Sequence, residues 1–133
     1  MEAVVQEHPM GCGIACVAFV TKKSYSLILK LTNESKASIK GYYCRELVSF
    51  LKRFGLKYEY KKFKEDLRKY LDIEGTIVFI KRSQKFPEGH YLARSKNGWM
   101  NPWINYPKIN PAKAGITKKL PEKVQWILFK TFI

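Results

Sequence analysis

Four residues in this chain are of the right kinds to cut an acyl bond: Gln6, Cys12, His90 and Asn101. Cys12 lies between Gly11 and Gly13, just before the apolar run Ile14-Ala15-Cys16-Val17-Ala18-Phe19-Val20. A cysteine in the first turn of a buried helix meets unpaired backbone N–H groups and the positive end of the helix dipole. Both favour the thiolate, which is the nucleophile. The same N–H groups can hold the oxyanion of a tetrahedral intermediate, and Gln6 can aim its amide at that oxygen. The flanking glycines leave room for a substrate backbone. What remains is a base to take the thiol proton and return it to the leaving amine. His90 follows Gly89 and the loop Arg82–Glu88, and it opens a predicted strand. That is a rigid mount beside a loop. An amide carbonyl that accepts from the imidazole Nδ1–H fixes its tautomer, and Asn101 on the return strand is the candidate. His8 reads as a loop residue, with a substitute base as the alternative. Cys16 and Cys44 read as packing. His8, Cys12 and Cys16 lack the spacing of a metal site, so neither metal nor cofactor is expected.

Helices and strands must bring these residues together. Gly11 and Gly13 punctuate the chain before a buried helix that starts near Cys12. A weaker helix covers Ser24–Leu31, the polar stretch Asn33–Lys40 reads as a loop, and Cys44–Phe54 has helical apolar spacing with Gly55 at its end. Leu56–Phe63 alternates like a strand, and Lys64–Leu71 is a short charged helix. Strands follow at Gly75–Ile80, His90–Arg94, Trp99–Trp103 and Val124–Ile133, with a Pro-rich loop over Asn105–Pro121. The order is α+β: N-terminal helices packed on a C-terminal antiparallel sheet. Asn97-Gly98 is a two-residue hairpin signal. In that register Asn101 faces Arg94, and His90 lies roughly 13 Å further along at ~3.3 Å per residue. The pair then needs a bulge or a strong twist, and Asn105, which would face His90, is the reserve candidate.

Gln6, five residues, Cys12-Gly13 and then Ala15-Cys16 resembles the nucleophile motif of the bacteriocin-processing, double-glycine cysteine peptidases. These are papain-like domains that usually sit at the N-terminus of peptide-exporting ABC transporters. Gly89-His90-Tyr91-Leu92 is similar to the family's histidine strand. Asn101-Pro102 is similar to its Asp-Pro pair, with Asn for Asp, and Cys44–Phe54 to its middle helix. The resemblance runs from about Gln6 to the C-terminus. It implies a papain-like fold, with Cys12 as nucleophile, His90 as general acid/base, Asn101 as orienter and Gln6 as oxyanion donor. It further implies cleavage after a Gly-Gly pair in a leader peptide. Here the peptidase would stand alone, and any ABC exporter would be a separate protein.

The length, 133 residues, suits a single domain over 1–133. Lys and Arg number 25 against 11 acids, a net charge of +14, which calls for an anionic partner. Read with the cysteine motif, that partner is an acidic peptide or protein substrate. Nucleic acid is less favoured, because no zinc-finger, helix-turn-helix or RNA-recognition signature is present. The alternative reading is a catalytically weak or dead peptidase-like module that binds an anionic partner such as nucleic acid or an acidic protein. The first residues have no basic region before an apolar run, and no apolar stretch is long enough to span a bilayer. Three cysteines cannot form a complete disulfide set. The expectation is a cytoplasmic protein, and a leaderless secretion route is compatible with the same sequence.

Overall fold

The computed structural model describes residues 2–108 and 110–131. Helix α1 (Cys12–Thr21) is apolar all round, and Gly13–Phe19 are all buried, as such a helix requires. It ends at Lys22, which takes a left-handed conformation (φ 61). Helix α2 (Tyr25–Leu29) starts at Ser24, whose Oγ accepts the Leu27 N–H at 3.1 Å. Asn33–Lys40 is not a loop but contains helix α3 (Glu34–Ile39). Asn33 Oδ1 accepts the Lys36 N–H at 2.8 Å, and Ala37 enters the core. A good cap and one buried alanine suffice where the apolar pattern is weak. Helix α4 (Cys44–Lys52) begins with the Tyr43 N–H donating to Glu46 Oε1 at 2.9 Å. It buries Cys44, Leu47, Phe50 and Leu51 at helical spacing.

The strands are β1 (Tyr58–Lys62), β2 (Ile77–Ile80), β3 (His90–Arg94), β4 (Trp99–Asn101), β5 (Gly115–Thr117) and β6 (Val124–Lys130). They form one sheet in the order β1-β6-β2-β3-β4-β5. Every neighbouring pair is antiparallel. The apolar β6 therefore sits inside the sheet, between the charged edge strand β1 and β2. The expected final strand extends to Ile133, and its last two residues lie outside the described residues. The expected helix Lys64–Leu71 is a 3-10 helix over Glu65–Asp72. The Pro-rich segment Asn105–Pro121 contains β5, which the sequence pattern did not announce. β4 stops at Asn101, two residues earlier than expected.

Alternation along the strands separates two apolar layers. Tyr91, Ala93, Ile77 and Leu128 face α1 and α4. Leu92, Val78, Ile127 and Phe129 face the 3-10 helix and the loops, through Leu67, Tyr70, Leu71 and Leu120. Among the described residues, no helix is long and apolar enough to cross a membrane. The architecture is α+β, with helices first and the antiparallel sheet after.

Candidate active site

Cys12 is the first residue of α1, and its sulfur accepts the backbone N–H of Tyr91 at 3.4 Å. Tyr91 directly follows His90 on β3, so the start of α1 abuts the start of the histidine strand. Gly11 and Gly13 do not clear space for a substrate. A Cβ on Gly11 would lie 2.1 Å from the Tyr25 hydroxyl, and one on Gly13 would lie 3.0 Å from Leu47 Cδ2. They make room for the protein's own side chains. The expectation of a stabilised thiolate is also reversed. Burial pushes the Cys12 thiol up to about 11, and the N–H groups of Tyr91, Gly13 and Cys12 only partly offset it.

His90 is 3% exposed, and its Nε2 meets Asn101 Oδ1 at 2.7 Å. The same oxygen accepts the Trp103 N–H at 3.0 Å, which identifies this end of the amide as the carbonyl. Nε2 is therefore the protonated nitrogen, and Nδ1 carries the lone pair. The expected contact was through Nδ1. The expected obstacle of strand register does not arise. β3 and β4 pair Arg94 with Trp99 and Ala93 with Met100, so the connection is Ser95–Gly98, closed by the Ser95 N–H donating to the Gly98 carbonyl at 2.8 Å. Continued by one residue, this register sets Asn101 opposite Leu92. That is one pleat from His90 and on the same face, within reach of a diagonal pair. Neither Asn97 nor Gly98 has a positive φ, so the two-residue turn is not formed. Gly98 serves a close approach instead, since a Cβ there would lie 2.4 Å from the Thr117 carbonyl oxygen of β5. Asn105 is not brought to His90. Its amide donates to the Pro111 carbonyl at 3.1 Å and accepts the Lys113 N–H at 2.8 Å, tying down a loop.

Sequence reasoning missed Phe86. Its ring stacks on the His90 imidazole with centroids 4.1 Å apart and planes 6° apart. The available signal was a large apolar side chain in an otherwise polar loop, and it is 2% exposed. Burial lowers His90 from 6.5 to about 4, against the hydrogen bond to Asn101, and the nearby Lys85 charge lowers it further. The resting pair is thus a thiol and a neutral imidazole.

Gln6 is buried, and its Nε2 donates to the carbonyls of His8 at 3.0 Å and Pro9 at 3.2 Å. Its Oε1 is buried without a hydrogen-bond partner. Its backbone N–H donates to the Pro102 carbonyl at 3.2 Å, which ties the N-terminal segment to the residue after Asn101. His8 has both ring nitrogens engaged, Nδ1 with the Tyr25 hydroxyl at 3.0 Å and Nε2 with Glu34 at 2.9 Å. Cys16 is fully buried in the core. Cys44 is buried with its sulfur 3.6 Å from the Tyr91 hydroxyl. Cys12 and His90 open onto one cleft of about 1270 Å³, walled by aromatic residues that include Tyr42, Phe79, Trp103 and Trp126.

This arrangement has counterparts among known proteins. The family model of the peptidase C39 family matches residues 1–119. No curated protein sequence matches the chain. Among solved structures, the chain is similar to the peptidase domain of Streptococcus ComA, a bi-functional ABC transporter involved in a quorum-sensing pathway. The TM-score is 0.61 at 18% identity, over 97% of this chain and 96% of that one. At that identity the likeness speaks for a shared papain-like α+β fold, while the family model speaks for descent. The chain belongs to the peptidase C39 family, a family of cysteine peptidases.

Proposed function

We propose that this protein is a cysteine peptidase with Cys12 as nucleophile, His90 as general base and then acid, and Asn101 as the residue that orients His90. The observation that carries this reading is the 2.7 Å contact of His90 Nε2 with Asn101, with the Cys12 sulfur against the N–H of the very next residue, Tyr91. With Nε2–H held by Asn101, the Nδ1 lone pair of His90 takes the thiol proton as Cys12 Sγ attacks the peptide carbonyl. The tetrahedral intermediate collapses, the C–N bond breaks, and imidazolium Nδ1–H protonates the leaving amine. Water then attacks the thioester, giving its proton to His90, and the acid and the free thiol are released. Because the resting pair is neutral, the thiolate arises during attack rather than being stored. The first-turn N–H groups of α1 are donors for the oxyanion. Gln6, whose amide here donates to the His8 and Pro9 carbonyls, is the further oxyanion donor that the family resemblance implies. The substrate would be a leader peptide cut after Gly-Gly, as the family resemblance implies.

A second reading is favoured by two observations: the neutral thiol–imidazole pair, and the engagement of the Gln6 amide by backbone carbonyls. In it the protein is a weak or inactive peptidase-like module that binds an anionic partner. One experiment separates the two. A Gly-Gly peptide is incubated with the wild type, Cys12→Ala and His90→Ala, and the products are read by mass spectrometry. The peptidase reading expects cleavage after the second glycine by the wild type. It expects none by Cys12→Ala and a rate lower by about 10²–10⁴-fold for His90→Ala. An intact peptide with the wild type rejects it.

A further inference from the structure

The surplus of positive charge is unevenly used. The cleft that holds Cys12 and His90 is lined by five basic side chains and one acid, Glu88. One of the five, Lys36, is already ion-paired with Glu46. The other four are Lys40 and Arg45 from the helical side, and Lys81 and Arg82 from the β2–β3 connection on the sheet side. All four are exposed, and among the described residues none is in a salt bridge. Four unneutralised cations on both walls of one apolar cleft raise its potential above that of a dispersed basic surface. We propose that this cleft selects peptides that carry acidic side chains beside the bond to be cut. Lys40 and Arg45 would meet them on one wall, Lys81 and Arg82 on the other. This rests on the peptidase reading for its substrate class and adds the charge that the substrate must bear. Each exposed pair is worth roughly a factor of 1.4 to 5 at low salt, so four in concert discriminate by at least about fourfold. The selection is strongest where the Debye length is long and fades as salt shortens it.

The test uses binding, so it does not depend on turnover. Cys12→Ala protein is titrated into two labelled probe peptides that share a Gly-Gly core and differ only in flanking Glu or Gln residues. Fluorescence anisotropy is expected to show at least about fourfold tighter binding of the Glu peptide in low salt, with the advantage shrinking in high salt. Adding Lys40→Gln, Arg45→Gln, Lys81→Gln and Arg82→Gln is expected to abolish the preference while Tm is kept. The pairs Lys40→Gln/Arg45→Gln and Lys81→Gln/Arg82→Gln, made separately, are each expected to reduce it. Equal affinity for the two peptides, or no measurable binding of either, overturns the proposal. So does a preference that survives all four substitutions. An oligothymidine that binds the same cleft more tightly than the Glu peptide also overturns it, in favour of nucleic acid. Failure of the wild type to hydrolyse a Gly-Gly peptide counts against the peptidase reading alone.

Discussion

At the scale of single residues, the site is governed by desolvation. A helix start and three backbone N–H groups pull the Cys12 thiol down, yet burial holds it near 11. His90 is held near 4 by the same effect. The free protein should therefore resist alkylation at neutral pH. With iodoacetamide followed by mass spectrometry, the rate at Cys12 is expected to climb as pH approaches 11; a plateau by pH 7 would mean a preformed ion pair. For the peptidase reading, kcat/KM is expected to stay level between an acid limb near 4 and an alkaline limb near 11, the values of the free protein's groups. Phe86 covers one face of the His90 ring, and in the peptidase reading it would act on the reaction through His90. Phe86→Ala is expected to raise the His90 pKa toward 6.5, followed by NMR of the imidazole, and to lower kcat/KM about tenfold. Phe86→Trp keeps a ring on the imidazole and should restore both. A purely structural Phe86 would change stability and leave the titration where it was.

At the scale of elements, two backbone features put His90 in place. One is the β3–β4 register, which brings Asn101 within one pleat of His90 without a bulge. The other is Gly89, with φ +77, packed so that an added Cβ would lie 2.3 Å from Phe79 Cζ and 3.0 Å from the Ile80 carbonyl. Gly89→Ala meets both left-handed strain and a clash, and is expected to destabilise by about 2–4 kcal/mol in urea unfolding. Gly55 has a similar φ of +78 but nothing within 4 Å, so Gly55→Ala is expected to cost only about 1 kcal/mol. Equal effects at the two positions would mean that backbone conformation alone, not the packing around β3, sets the cost. The α1 helix contributes differently. It is buried from Gly13 to Phe19 against the sheet and α4, so it cannot shift without disturbing both.

At the scale of the whole molecule, burial of the titratable His90 links folding to pH. The unfolded chain binds a proton at His90 near 6.5, whereas the folded protein does so only near 4. Between these values the unfolded state holds more protons, so stability falls as pH falls. His90 contributes its full share above 6.5 and has lost it below 4, a change on the order of 3 kcal/mol. Unfolding free energies from urea titrations taken from pH 7 down to 4 are expected to fall by that amount more in the wild type than in His90→Gln. Parallel curves for the two proteins would place the charged imidazole in solvent. The +14 surplus also takes on a position at this scale. Part of it lines the cleft, which a count of lysines along the chain cannot show.

Local patterns in the amino-acid sequence determined the helix that starts at Cys12, the capped α2, the α4 helix with its four inward residues, and the strand that begins at His90. Each follows from spacing, caps and glycine punctuation within a few residues, which is the range over which such signals act. The same patterns did not announce α3 or β5, because a helix with one buried alanine and a three-residue strand owe their form to partners elsewhere in the chain. Gln6, Cys12, His90 and Asn101 were legible as kinds of residue, but their relations were decided by tertiary structure. That Asn101 comes within reach of His90 depends on a register set by Ser95–Gly98 and by β5 against Gly98. Phe86 became a neighbour of His90 only when the loop folded back. The reversal of the thiolate expectation has the same origin, since a helix start is local but desolvation is the sum of everything packed around it.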